Sequence, residues 1–180
     1  MRALVCAVQH YDWGRRGPCE VRALGEANTS SSAGEGTPHA ELWMGTHPSG
    51  PSTLAASGTG LAEWLRSAEG APTLGPAVAA RWGGELPFLL KVLSVAKALS
   101  IQAHPDKALA ERLHAEQPAN YKDDNHKPEM TLAVTPFEAL SGFVAPGELA
   151  ESLRAVPELR AAAGEAAAGA LLAAAGQEGG

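Results

Sequence analysis

Leu99-Ser100-Ile101-Gln102-Ala103-His104-Pro105 is the stretch on which the reading of the fold turns. Leu86 to Leu93 is largely apolar, and Val95 to Ile101 is apolar with polar interruptions. Pro105 has no N–H to give to a sheet ladder, so a strand is expected to end near His104. Side chains two apart on a strand point to one face. Ser100, Gln102 and His104 then share a polar face, while Leu99, Ile101 and Ala103 form the apolar one. A second segment, Asn125-His126-Lys127-Pro128-Glu129, follows after a loop and a helix. Pro128 pushes Lys127 toward extended backbone, which sets Lys127 and Glu129 on a common face with His126 pointing away.

The two segments together offer an amide oxygen from Gln102, an imidazole from His104 and a carboxylate from Glu129, with the Lys127 ammonium beside them. A Gln-x-His pair by itself is commonly no more than an exposed strand face, and a lone Glu129 would be a surface charge. Their joint occurrence makes them candidate ligands of one metal ion. A nitrogen and oxygen set without thiolate suits zinc, manganese or ferrous iron.

Working outward, the N-terminal segment reads as a strand that ends in a turn at Trp13-Gly14. Residues 25 to 39 carry Gly25, Asn28, Thr29, serines at 30 to 32, Gly34, Gly36 and Pro38, which is loop chemistry. Glu41 to Met44 is expected to be a strand and His47-Pro48-Ser49-Gly50-Pro51 a turn. Leu61, Trp64 and Leu65 recur at helical spacing behind Thr59 as a cap, and Pro76 with Gly83 brackets another helix. Asp106 suits the N-cap of a helix carrying Leu109 and Leu113 and stopped by Pro118. Trp64 and Trp82 read as core anchors. From Pro146 one amphipathic helix with Leu149, Leu153 and Val156 is expected, and beyond Ala161 the alanines favour helix while Gly164, Gly169 and Gly176 oppose it. Strands around short helices with scattered Gly and Pro turns indicate a mainly β, mainly antiparallel architecture.

Composition narrows the rest. At 180 residues the chain can bury a core and form one domain, or one domain with part of a second. A formal charge of −6 argues against nucleic acid as the main partner. No apolar run is long enough to cross a bilayer, and no signal-peptide pattern opens the chain. Cys6 and Cys19 are the only cysteines, too few for a disulfide framework, so reduced thiols and a cytoplasmic setting are the default. All five lysines lie between Lys91 and Lys127, yet six basic and six acidic residues balance between positions 91 and 129. Binding of an anion there must therefore rest on placed groups rather than on a bulk positive field.

Five stretches in order carry a resemblance: Val8-Gln9-His10-Tyr11-Asp12-Trp13-Gly14, Ala40-Glu41-Leu42-Trp43-Met44-Gly45-Thr46-His47-Pro48, Leu86-Pro87-Phe88-Leu89-Leu90-Lys91-Val92-Leu93-Ser94, Leu99 to Pro105, and Asn120-Tyr121 through Glu129. Over roughly residues 4 to 145 the chain resembles the N-terminal portion of the type I phosphomannose isomerases, also called mannose-6-phosphate isomerases. The resemblance implies a cupin-type jelly roll with short helical additions, incomplete relative to the full family fold. It implies residues 1–145 as the N-terminal part of a cupin-like metal-binding catalytic domain and fades beyond them, where the Ala/Gly-rich composition of 146–180 sets the expectation of a poorly ordered helical region. One zinc ion is implied as cofactor. The implied reaction interconverts mannose 6-phosphate and fructose 6-phosphate through an enediol, feeding GDP-mannose synthesis and protein glycosylation, in a cytoplasmic monomer with a sugar phosphate as its small-molecule partner.

Inside the matching motifs, Lys91 and Lys127 are the candidates for proton handling or substrate contact, and Ser100, Glu41, Trp13 and His126 for substrate binding. Glu41 is also suited to holding Lys91 or Lys127 in place. The family takes a further histidine ligand and an arginine from later in a longer chain, and neither has a counterpart before Gly180. A shortened form without turnover and a different metal-binding cupin are the alternative readings.

Overall fold

A computed structural model describes residues 2–29 and 33–175, and it divides into two units, Met1–Ala103 and His104–Gly180. In the first unit β1 (Leu4–Val5) pairs antiparallel with β4 (Thr53–Leu54). A three-stranded antiparallel sheet runs in the order β2 (Ala7–Gln9), β3 (Glu41–Met44), β5 (Leu90–Leu93). The register sets Val8, Leu42 and Val92 in one row across the sheet. Because successive strand residues face opposite sides, that row and Met44 look toward helix α1 (Glu20–Thr29), where Cys6, Val21 and Leu42 form a buried cluster.

Helix α1 corrects the loop expected from residue 25, and the serines at 30 to 32 lie outside the described residues. Gly25 lets the helix pass close to β2: an added Cβ would stand 2.8 Å from Val8 Cγ2. Asn28 turns its amide outward to the neighbouring strand segment, accepting from the Cys6 N–H and donating to the Leu4 carbonyl, both at 2.6 Å. Loop-forming residue types thus serve here as close-approach and strand-binding groups of a helix. The start of α1 is fixed by Ser94, a buried residue beyond β5 whose hydroxyl accepts from the Val21 N–H at 3.2 Å.

His39 is buried beneath this helix, and among the described residues its Nδ1 has no hydrogen-bond partner. Burial, reinforced by the charge of His10, pushes its pKa below the ordinary histidine value; Arg22 acts in the same sense, while the Thr37 backbone and Glu26 oppose it. The unfolded chain therefore takes up a proton that the folded chain resists, and stability is lost as pH falls below the usual histidine range. Thermal unfolding of the native protein should drop between about pH 7.5 and pH 5.5, and the drop should be smaller in His39→Gln. Parallel melting curves of the two proteins check this.

The expected helices form as α2 (Leu61–Arg66), a 3-10 turn (Ala71–Leu74) and α3 (Pro76–Trp82), which ends on Gly83 in the left-handed conformation. Two details differ. Gly60, not Thr59, occupies the N-cap of α2, with no side-chain cap. Trp82 is exposed, its ring covered by the Arg81 guanidinium, so it is no core anchor.

The strand expected to run to His104 is absent. Pairing ends at an isolated bridge between Gly14 and Val95 and one further bond from the Ala96 N–H to the Trp13 carbonyl. From residue 98 to the start of the next helix the backbone has no ladder partner, and a strand requires one. Leu99 and Ile101, expected to face a core, are exposed.

In the second unit α4 (Lys107–Glu116) is capped by Asp106, whose carboxylate accepts from the Leu109 N–H at 2.8 Å. Residues 118–145 contain no strand or helix and are exposed throughout. α5 (Pro146–Ala155), α6 (Pro157–Ala163) and α7 (Glu165–Ala175) pack on one another, with Ala150, Leu153 and Ala168 buried between them. Gly169 does not interrupt α7, and Gly164 serves as the break before it at φ 81°. Gly176 lies outside the described residues. Among the described residues the strands pair antiparallel as expected, in two small sheets, and helices exceed them.

Candidate functional site

The face of the three-stranded sheet away from α1 is polar. Gln9, Glu41 and Leu93 form one cross-strand row on it, and Ala7, Trp43 and Lys91 form the next. Alternation along β3 requires this: Leu42 and Met44 go to the core, so Glu41 and Trp43 go to the other side. Glu41 is only 6% exposed. A carboxylate so far from water needs a charge partner and hydrogen-bond donors. It has both, since Lys91 Nζ lies 3.2 Å from its Oε2 and the Trp43 indole N–H donates to the same oxygen.

The lysine also stands over the Trp43 ring, 4.8 Å from the centroid, and His47 meets that ring edge-on at 4.9 Å. Tyr11 is close enough to feel the Glu41 charge: burial first, then that charge, raises its phenol above the usual range. Trp13 is half-buried and stacks on Tyr11 at 5.8 Å. Six aromatic and charged groups, Glu41, Lys91, Trp43, His47, Tyr11 and Trp13, thus share one neighbourhood of the first unit. Sequence reading selected Glu41, Lys91 and Trp13 and passed over Trp43 and Tyr11 as site residues. The signal for Trp43 was its place two residues from Glu41 on a four-residue strand.

Two other candidates close the first unit. Gln102 donates through its amide nitrogen to Ser100 Oγ at 3.3 Å, and both are exposed. Their shared side is therefore present without the regular strand that was expected to produce it.

The second unit opens on His104. Its Nδ1 meets the Lys127 backbone carbonyl at 2.7 Å, which joins the two motifs that were singled out from sequence. A carbonyl accepts only, so Nδ1 carries the proton and, in the neutral ring, Nε2 keeps its lone pair. That is the arrangement in which an imidazole ligates a metal, with its other nitrogen fixed by an outer acceptor. The loop that supplies the carbonyl is itself pinned. Lys107 Nζ donates to the Asp124 carbonyl at 3.0 Å, to Asp124 Oδ2 at 3.1 Å and to Asn125 Oδ1 at 3.3 Å. His114 Nδ1 bonds the Tyr121 carbonyl at 2.6 Å. The Lys107 bond and charge hold the Asp124 carboxyl below the usual carboxylate range.

Lys127 pairs with Asp123 at 3.6 Å and is exposed, as are His126 and Glu129. Among the described residues no three His, Cys, Asp or Glu side chains converge as a metal site. The set selected from sequence contains two such residues and an amide. Its donor chemistry fits zinc, and the His104 tautomer fits a ligand role.

The chain matches the family model described as phosphomannose isomerase type I, catalytic domain, over residues 1–145. It is 50% identical over 178 residues to mannose-6-phosphate isomerase 2 of Arabidopsis thaliana, a match covering 93% of this chain and 40% of the relative. With mannose-6-phosphate isomerase of Emericella nidulans it shares 52% identity over 160 residues, 87% of this chain and 34% of the other. Among solved structures, mannose 6-phosphate isomerase from Salmonella typhimurium bound to fructose 6-phosphate and zinc aligns with a TM-score of 0.52 and 36% identity, over 71% of this chain and 33% of that one. A mannose 6-phosphate isomerase bound with zinc and yttrium aligns at 0.53 and 35%, over 70% of this chain and 33% of that one. The family-model match reaches into both units and spans all five motifs named above.

This chain belongs to the type I phosphomannose isomerases. It spans about two fifths or less of the length of the relatives it matches.

Proposed function

We propose that the chain contributes the metal and substrate groups of a zinc-dependent aldose–ketose isomerase acting on mannose 6-phosphate and fructose 6-phosphate. The observation that carries this reading is the bond between His104 and the Lys127 carbonyl, because it links the two ligand-bearing motifs and leaves Nε2 available. In the proposal Gln102, His104 and Glu129 hold one zinc ion, within a cupin-type jelly roll whose catalytic portion takes in residues 1–145. Zinc, when bound, polarises sugar oxygens and stabilises the enediolate charge.

The other assignments follow from chemistry. Lys91 and Lys127 present ammonium groups to an anionic sugar phosphate, and Lys127 is the proton-handling candidate beside the metal ligands. Ser100 and His126 supply hydroxyl and imidazole contacts from exposed positions, and Trp13 provides an apolar wall for the sugar. Glu41 acts through Lys91. The protein works in the cytoplasm as a monomer, upstream of GDP-mannose synthesis.

Isomerisation of mannose 6-phosphate should vanish on dialysis against a chelator and return with zinc. Persistence in the metal-free protein would remove the proposal. Lys127→Met should weaken fructose 6-phosphate binding by about tenfold, the loss of one charge-assisted contact, with zinc content unchanged. Isothermal titration beside metal analysis checks both parts. A second reading is binding without turnover. It predicts zinc and sugar-phosphate binding with no product.

A further inference from the structure

Trp43 touches both members of the ion pair next to it. Its indole N–H donates to Glu41, and the Lys91 ammonium lies 4.8 Å above its ring centroid. Lys91 is the direct cross-strand partner of Trp43, and Glu41 sits two residues earlier on the same strand, so all three lie on one sheet face. The ring is itself immobilised. It is 6% exposed, His47 packs edge-on against it, and Gly50 passes so close that an added Cβ would lie 3.0 Å from Trp43 Cε3.

A lysine offers a compact charge on a flexible four-carbon stem, and a carboxylate alone can be met by that stem in many geometries. An aromatic face beneath the ammonium removes most of them. The indole N–H fixes the Glu41 carboxylate at the same time, so a single rigid ring sets both ends of the pair. Lys91 keeps about a third of its side chain exposed, which leaves N–H donors for an anion in solution.

We propose that Trp43 is the positioning residue of the Glu41–Lys91 pair, holding the ammonium in one orientation toward the open side of the sheet, where it receives the anionic end of a sugar phosphate. This rests on the reading of Lys91 as a substrate contact, and the test separates the two. The rate at which an amine-reactive reagent labels Lys91 is followed by peptide mass spectrometry, with exposed Lys122 as internal reference. In the native protein Lys91 should react about fivefold more slowly than Lys122, the factor expected for one cation–π contact.

Trp43→Leu removes ring and donor and should bring the two rates together. Trp43→Phe keeps the ring face and should give an intermediate rate; it also decides the matter if Trp43→Leu does not fold. Unchanged Lys91 labelling in a folded Trp43→Phe and Trp43→Leu pair, or an equal rise at every lysine, overturns the positioning role. Saturating fructose 6-phosphate should slow labelling of Lys91 and not of Lys122. Absence of that protection overturns the substrate half of the proposal, while the response to the Trp43 variants still reports the holding contact.

Discussion

Replacing Glu129 by alanine should strip the protein of zinc while leaving its helices and sheet in place. Glu129 is exposed and lies outside every helix and strand, so its side chain has no packing to lose. In the proposed ligand set it is the one anionic donor, beside a neutral amide from Gln102 and a neutral imidazole from His104. A dication left with neutral ligands loses its main charge compensation. The affinity should fall by more than the roughly 10- to 100-fold that follows loss of an outer partner of a ligand. Glu129→Gln keeps the shape and one oxygen donor and should fall between the native protein and the alanine variant. Metal analysis after equilibrium dialysis, with circular dichroism as the control for folding, gives the answer. Full zinc retention in Glu129→Ala and His104→Ala alike would contradict the assignment.

Gly14→Ala should be among the most damaging single methyls in the first unit. The Cβ would stand 2.6 Å from the Ala40 nitrogen, 2.7 Å from Ala40 Cα and 2.7 Å from the His39 carbonyl carbon. All three are backbone atoms, so no rotamer change relieves the contact. Either the turn that ends the first motif or the segment leading into β3 must move, and β3 carries Glu41 and Trp43. A cost of about 3 kcal/mol is expected, lowering the melting temperature by roughly 6 to 12 °C. Gly147→Ala is the contrast: nothing lies within 4 Å of its added Cβ, and it sits in the first turn of α5. It should leave stability unchanged or raise it by up to about 1 kcal/mol. Calorimetry of the two variants distinguishes a close-approach glycine from a merely local one.

The elements legible in the sequence are those whose signals are local. Asp106 caps its helix, Pro76 and Gly83 bound theirs, and the turn after His47 closes with a bond from the Gly50 N–H to the His47 carbonyl. β3 was also legible, the strand expected at Glu41 to Met44 forming over those four residues. Helix α1 was not, because the reasons for Gly25 and Asn28 lie in β1, β2 and the residue between β1 and β2. Local composition cannot report a partner brought by the fold.

The strand expected to carry Ser100, Gln102 and His104 failed for the same kind of reason. A strand is a property of a pair, and beyond Ala96 no neighbour pairs with it among the described residues. At the site, Glu41 and Lys91 were visible as members of motifs, but the choice between Lys91 and Lys127 as the partner of Glu41 needed the β3–β5 register. Trp43 as the third member needed that register as well. The link from His104 to Lys127 is a side chain meeting a backbone carbonyl 23 residues later, which no periodicity announces.

The central claim is that an amide, an imidazole and a carboxylate supplied by this chain hold one zinc ion. A crystal of the zinc-loaded protein measured across the zinc absorption edge tests it most directly. The account predicts one anomalous peak at about 2.0–2.2 Å from Gln102 Oε1, His104 Nε2 and a Glu129 carboxylate oxygen. A peak on other side chains, such as the His10 and His39 pair, with none at these three, would contradict it.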